Sequence, residues 1–435
     1  MRWLNRVART LCLALGLLAI GVGPGWQAGA TGNVLFISAA GTGATCSSAS
    51  PCALETGLSL AVSGDRVEVV EGSGPFGTSS EPISAPVAVP AGVTLSGHSA
   101  AEPGEFVFQS ATAAVVLEGG GTGGGISDVH VSNLGSGDTI QVAAAAVQEA
   151  SVVRVIARSL GGGAGCVLNG EALLVDSVCV GSAGAEVTSG VGVSTAQRIV
   201  NATIIGSGSG IEVRAVGGDA VLPQISNSIL QGEVTDVLAS GADGQTEVAL
   251  DHSNYASAEA QAGATVTAPG SPTNQTAEPL FVDAPGGNFR EQSGSPTVDA
   301  GATAPESGNI DVAGNDRVLP GRILCSNTPP AVIDIGAYEF VPVAPPCLPP
   351  ITEPGPEVVP PQPMVRLPRV VGLKPPAAVR RLHRLHLRVR LKSSAAACQG
   401  PKIRLVRAQK PRPGRVVPQG ATAHLRLGCG LRPRG

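Results

Sequence analysis

The sequence predicts a mainly β protein: a right-handed parallel β-helix followed by a small α+β unit. Composition is the first observation behind this. The 435 residues include 59 Gly and 35 Pro, with 43% hydrophobic, 14% charged and 3% aromatic residues. Such a chain is too apolar for disorder. Rich in Val and Gly and poor in aromatics, it suits short strands joined by tight turns. The second observation is a recurring strand-like run in the middle of the chain. The third is a change of charge and pattern beyond a Pro-rich stretch. Length allows two or three domains.

The elements follow in order. Residues 1–30 read as a signal peptide. Arg2, Arg6 and Arg9 precede the apolar run Leu11 to Val22, and Ala28-Gly-Ala30 supplies the cleavage pattern. An uncleaved anchor helix is the alternative, although the run is short for a bilayer. No other stretch is long and apolar enough, so no transmembrane segment is expected after cleavage. Export is matched by cysteine usage. Cys12 lies in the signal, and the other eight fall into four neighbouring couples. Disulfides Cys46–Cys52, Cys166–Cys179, Cys325–Cys347 and Cys398–Cys429 are therefore expected.

Residues 31–340 form the predicted solenoid body. Asn33 to Ser38 is a strand candidate, Leu54 to Val62 a short helix, Gly64-Asp65 a turn. Arg66 to Val70 and Val93 to Gly97 are further strands. The helix precedes the first coil and would cover an open strand edge. The repeat then runs through Ile126-Ser-Asp-Val-His-Val131, the weaker Val152-Val-Arg-Val-Ile-Ala157, Val175-Asp-Ser-Val-Cys-Val180, Val200-Asn-Ala-Thr-Ile-Ile205 and Ile225-Ser-Asn-Ser-Ile-Leu230. Its starts step by 26, 23, 25 and 25 residues. Gly/Ser stretches separate the copies, with no helical period to make βαβ units. Coils of this length bury an apolar face only by stacking. On this reading Ile126, Val175, Val200 and Ile225 share one column. Asp128, Asp176, Asn201 and Asn227 fall near equivalent points. They are expected to form a hydrogen-bonded turn ladder, with a carboxylate-lined groove as the sharper alternative.

Residues 341–363 are a Pro-rich, semi-rigid linker. Beyond it, residues 364–430 change character. Lys374 to His386 reads as a helix with Ala378, Leu382 and Leu385 on its apolar face. Leu387 to Leu391 alternates as a strand, and Lys402 to Ala408 and Ala421 to Leu427 are two more. Charge divides at the same place. Residues 31–362 carry 8 Arg and all 33 acids, a net −25, whereas residues 363–435 carry 18 Lys and Arg and no acid, +18. Such asymmetry points to different partners for the two parts.

Two resemblances add to this. Asn33 to Phe340 resembles the choice-of-anchor Q group of exported right-handed β-helix proteins. The likeness is carried by Cys46, Ser50-Pro-Cys-Ala-Leu54 and Gly64-Asp-Arg-Val67 at the front. At the back it rests on Ser295-Pro-Thr-Val-Asp-Ala-Gly301, Asp311-Val-Ala-Gly-Asn-Asp-Arg317 and Asp334-Ile-Gly-Ala-Tyr-Glu339. It implies a surface or secreted protein with a variable C-terminal attachment module, and brings no established reaction. Within it, Val332 to Phe340 looks like the last strand of the stack. Gly336 would allow a close turn, Tyr338 would cover the apolar end, and Arg317 would pair with Asp334 or Asp299. Asp299, Arg317, Asp334, Gly336, Tyr338 and Glu339 are thus a structural cap. A calcium site from Asp299, Asp311, Asp316 and Asp334 is the alternative.

The tail resembles a PASTA domain. Pro368-Arg-Val-Val-Gly-Leu373 matches the opening motif. Val406, Gln409, Pro411, Gly414, Val416, Gly420 and Leu425 follow the closing pattern loosely. His386 stands where a glycine is usual, and Cys398 and Cys429 are additional. The resemblance implies peptidoglycan binding. Arg380, Arg381, Arg384, Arg388, Arg404 and Arg407 are the candidate contacts to peptidoglycan or other anionic wall polymers. Export and the lack of stacking aromatics argue against nucleic acid.

Catalysis stays open, leaning against. The body's bases are few arginines and no lysine, and His98, His130 and His252 are isolated. Asp128 with His130 is the best pair. No metal or cofactor motif is present, and none is expected. The leading expectation is a non-catalytic protein, secreted or wall-associated, whose acidic β-helix is tethered by the basic module. A polysaccharide lyase or glycoside hydrolase is the alternative. Oligomeric state is not legible.

Overall fold

Residues of alternating apolar character make strands that face an interior on one side. Each such strand finds its partner one coil away in the chain. In the computed structural model, this gives a parallel β-helix. The structure describes residues 32–119, 124–143, 149–189, 195–216, 219–241, 245–324, 328–343, 363–392 and 402–431. The segment read as a signal peptide, most of the expected linker, Cys325, Cys347 and Cys398 lie outside the described residues.

Three parallel sheets wrap the interior. Sheet I contains Arg66–Val69, Thr94–Ser96, residues 125–127 and 151–153, Ala172–Val175, Arg198–Val200, Gln224–Ser226 and Glu247–Asp251. Sheet II contains Gly104–Phe108, residues 129–133, 155–159, 178–181 and 203–206, and Ile229–Gly232. Sheet III stacks Val87–Val89, Val115–Leu117, Ile140–Val142, Cys166–Asn169, residues 185–188 and 211–214, and residues 237–240, ending on Ala258–Gln261. A helix at Leu54–Leu60 puts Leu54 and Leu58 into the same core as Ile37 and Val67. The first coil is thereby covered at its N-terminal side.

Register confirms the stack and corrects its phase. Leu95, Ile126, Val152, Leu174, Ile199, Ile225 and Leu250 form one buried column of sheet I. Ile126 and Ile225 belong to it, as expected. Val175 and Val200 do not: they pair with each other one position later and face outward. A one-residue slip reverses the face of every side chain. The pattern hid the slip because the outer positions here are also apolar. Val175 and Val200 pack with Leu173, Val153 and Ala304 beneath a later segment.

Both disulfides within the described body are as expected, Cys46–Cys52 and Cys166–Cys179. The second joins sheet III to the next strand of sheet II through the interior, where both cysteines are fully buried. Cys429 is disulfide-bonded as well. Among the described residues no helix is long and apolar enough to cross a membrane.

The C-terminal unit forms a helix at Pro375–His383 and a three-stranded sheet of Arg388–Lys392, Thr422–Leu431 and Lys402–Lys410, in that order. Ala378 and Leu382 bury with Val406, Ala423, Leu425 and Leu427 in a core of their own.

Candidate functional site

From Asp128 onward, successive coils turn a corner after sheet I at a residue in the left-handed region. Asp128, Arg154, Asp176, Asn201, Asn227 and His252 have φ of 55°, 51°, 49°, 50°, 48° and 43°. Asn and Asp tolerate this region better than other L-residues. The expected turn ladder therefore exists, and Arg154 and His252 extend it. Asn201 Nδ2 donates to Asp176 Oδ1 at 3.0 Å, and Asn227 Nδ2 donates to Asn201 Oδ1 at 3.0 Å. One position on, Ser177 and Ser228 turn inward and accept backbone N–H groups of the preceding coil.

The corner also separates Asp128 from His130. Asp128 is held by Arg154 through a two-pronged pair at 2.6 and 2.8 Å. His130 lies on the outer face of sheet II. The candidate acid–imidazole pair is not formed; instead Glu105 stands beside His130 in the register.

Residues 297–340 do not end the stack. The described residues among them run as a strap along its side, over the ladder and the outer face of sheet II. Asn227 accepts the Ala302 N–H at 2.9 Å and donates to the Ala302 carbonyl at 2.6 Å. Gly336 N–H donates to the Asn227 carbonyl at 2.8 Å. Its φ is +116°, and a Cβ there would stand 2.8 Å from Ile229 Cδ1. Only glycine suits both constraints. Arg317, 1% exposed, reaches 141 residues back to Asp176 at 2.6 Å and lies 3.8 Å from Glu339. Its expected partners were Asp334 and Asp299. Those acids are engaged elsewhere. Asp334 accepts N–H groups of Asp299 and Phe340, and Asp299 accepts that of Gly321. Asp311 accepts those of Ala313, Asn315 and Glu339. These carboxylates serve separate turns and do not converge on one point.

The buried acids in the strap and just before it are shifted upward. Burial pushes Glu291 up to about 7, Asp334 to about 6 and Glu339 to about 8. For Glu339 the neighbouring Asp334 charge adds to the effect. One guanidinium cannot neutralise so many carboxylates in a low-dielectric setting, so protons are retained.

The outer face of sheet II changes along its length. One column runs Glu105, His130, Ile156, Val178, Thr203 and Ile229; its neighbour runs Val107, Ser132, Arg158, Val180 and Ile205. The apolar end packs under Phe281, Phe289, Ile335 and Tyr338 of the covering segment. The polar end stays open as a cleft of about 530 Å³. Glu105, His130, Ser132 and Arg158 form its floor, with Asn288, Arg290 and Tyr338 opposite. Arg158 donates to the Gly287 carbonyl at 2.7 Å, while its Nε is buried without a partner. Arg290 lies 4.9 Å above the Tyr338 ring. Burial first, then the Arg158 and Arg290 charges, push His130 down to about 4. Its imidazole is neutral at neutral pH.

In the C-terminal unit, strand register decides which cations share a surface. Val389, Leu391, Ala423, Leu425 and Gln409 face the helix side. Arg388, Arg390 and Lys392 alternate with them and face away, beside Thr422, His424 and Arg426. Lys410 lies opposite His424 on the other edge. Of the sequence candidates, Arg388 belongs to this face, and Arg404 lies on the Lys402–Lys410 strand of the same sheet, opposite Cys429. Arg380, Arg381 and Arg384 sit on the exposed side of the helix, and Arg407 lies at an irregularity of its strand. Glu278 of the body approaches Arg388 at 3.9 Å and Arg390 at 4.0 Å.

No family model matches the sequence, and no curated protein does. Among solved structures, the chain is similar to one titled "Crystal structure of pectate lyase Pel9A". The two share 10% identity over 71% of this chain and 96% of that one, with a TM-score of 0.30. The solenoid assignment rests on the strand register itself.

Sequence reasoning missed Arg158, Arg290, Glu105 and Asn288 as cleft residues. Arg158 and Gly287 are 129 residues apart. A signal did exist: Arg158 and Arg290 are two of only 8 Arg in an otherwise acidic body.

Proposed function

We propose that the chain is an exported, cell-surface protein in which an acidic β-helix is tethered to anionic cell-wall polymers by its basic C-terminal unit, a PASTA-like peptidoglycan-binding module. The observation that carries this reading is the sheet face of Arg388, Arg390, Lys392, Lys410, His424 and Arg426. Its opposite side is buried by the helix, so the cations are presented together. No acid in residues 363–435 offsets them, and Glu278 of the body meets two of them, Arg388 and Arg390, at 3.9 and 4.0 Å. A planar array of this kind attracts polyanions and steers their approach. Each contact is weak alone, so binding is multivalent and fades with salt. The disulfides support this reading, since such bonds persist in oxidising compartments, where wall polymers would be the polyanions within reach.

The test is co-sedimentation of the full chain with purified cell walls across a salt series. Retention should fall steeply with salt. It should also fall at least about tenfold in the triple variant R390E/K392E/R426E, through the loss of several screened contacts. Retention that survives both changes overturns the reading.

A further inference from the structure

The cleft beside sheet II has a charge character opposite to that of the body that holds it. Residues 31–362 carry a net −25. Four of their 8 Arg are held in ion pairs, Arg66 with Glu68, Arg154 with Asp128, Arg198 with Glu149 and Glu306, and Arg317 with Asp176; of the other four, Arg214 and Arg322 lie outside the cleft. Among the described residues, neither Arg158 nor Arg290 has a carboxylate within 4.0 Å. Both line the same cleft. In so acidic a body, two guanidiniums left without acids and facing one space are kept for an incoming anion. Arg158 has a further unmet need, a buried Nε with no acceptor. A planar guanidinium satisfies such a need best with a carboxylate or phosphate.

The remaining walls choose between these. Glu105 contributes a negative charge, and His130 carries none at neutral pH. The wall therefore presents two positive charges and one negative. That suits a singly charged group better than a phosphate dianion. Glu105, Ser132, Asn288 and the imidazole provide acceptors and donors for hydroxyl groups. Val107, Ile156 and Tyr338 provide apolar surface for C–H faces. A volume of about 530 Å³ accommodates one or two pyranose rings.

We infer that this cleft is a binding site for a carboxylate-bearing sugar, with Arg158 and Arg290 holding the carboxylate and Glu105, Ser132 and Asn288 contacting ring hydroxyls. The site is independent of the wall-tethering reading. It is built from the body alone and stands if the basic tail binds nothing.

The experiment is ligand-observed NMR titration of the full chain, with four sugars and inorganic phosphate. Glucuronate and galacturonate are compared with glucose and galactose, which differ from them only in carrying CH₂OH in place of the carboxylate. At least one acidic sugar should bind at least about tenfold more tightly than its neutral counterpart, the size of one charge-assisted contact. Arg290→Gln and Arg158→Gln should each weaken it about tenfold. Arg158 also holds Gly287, so the Arg290→Gln and His130→Gln variants, with unchanged thermal unfolding, keep the test decisive. Binding undiminished in Arg158→Gln and Arg290→Gln would place the sugar on the basic tail and overturn the inference. So would equal binding of neutral sugars, response to phosphate alone, or no binding at all.

Discussion

His386 shows how a single position carries a cost. It lies at φ +53°, between the helix and the first strand of the C-terminal unit, with its carbonyl accepting the Gly420 N–H at 2.7 Å. A side chain in this region costs about 1 kcal/mol or more, and glycine costs nothing there. His386→Gly is expected to raise the stability of this unit by about 1 kcal/mol in urea unfolding, despite the added freedom of the unfolded chain. Gly336 is the reverse case. Gly336→Ala introduces a Cβ 2.8 Å from Ile229 Cδ1 at a φ of +116°. A loss of about 1–3 kcal/mol is expected from the backbone strain alone. Arg317 is the most demanding position of the strap. Arg317→Met leaves Asp176 buried without its cation, and about 3–5 kcal/mol of destabilisation should follow. Part of this was legible beforehand. Gly336 was singled out as a close-approach glycine, and Asp176 as a ladder residue. Their joining through Arg317 was not, because the pairing spans 141 residues and no local pattern encodes it.

At the scale of elements, the strap is held by groups that titrate. Glu291, Asp334 and Glu339 are raised to about 7, 6 and 8 by burial, whereas unfolded carboxylates titrate near 4. The folded state thus binds more protons than the unfolded state between those limits. Its stability from these groups is complete at about pH 4 and declines as pH rises through 6 to 8. Hydrogen exchange of residues 297–340 should therefore be faster at pH 8.5 than at pH 5.5, after correction for intrinsic rates. Unchanged protection would show that the acids stay ionised in the fold. The strands of sheet I were readable from β-branched runs, whereas Val178–Thr188 and Thr203–Arg214 run well past the expected ends at Val180 and Ile205, and the short strands of sheet III were not read. Phase was misread at Val175 and Val200 because these outward positions are themselves apolar and packed with Leu173, Val153 and Ala304, so alternation no longer marks the interior there. Residues 332–340 were misread as a final strand for a related reason. Their apolar residues Ile335, Ala337 and Tyr338 do bury, but against the flank of other strands.

For the whole molecule, charge is the organising variable. The division between an acidic body and a basic tail was visible in the sequence, and so was the solenoid. Which cations share a face was not visible, because that depends on the register of one parallel and one antiparallel strand pair that are distant in sequence. The interior cross-link Cys166–Cys179 closes a separation of 13 residues in the middle of the stack. Its removal by Cys166→Ala/Cys179→Ala should lower stability by about 3 kcal/mol, read as an earlier midpoint in guanidinium unfolding.

The strap has a mechanical consequence. It fastens to Asp176, Asn201 and Asn227, which belong to three successive inner coils, rather than to the final coil. Tension applied at the C-terminus therefore enters the solenoid at mid-length. The load is distributed over several rungs in shear, and the terminal coil is spared from being peeled away one hydrogen bond at a time.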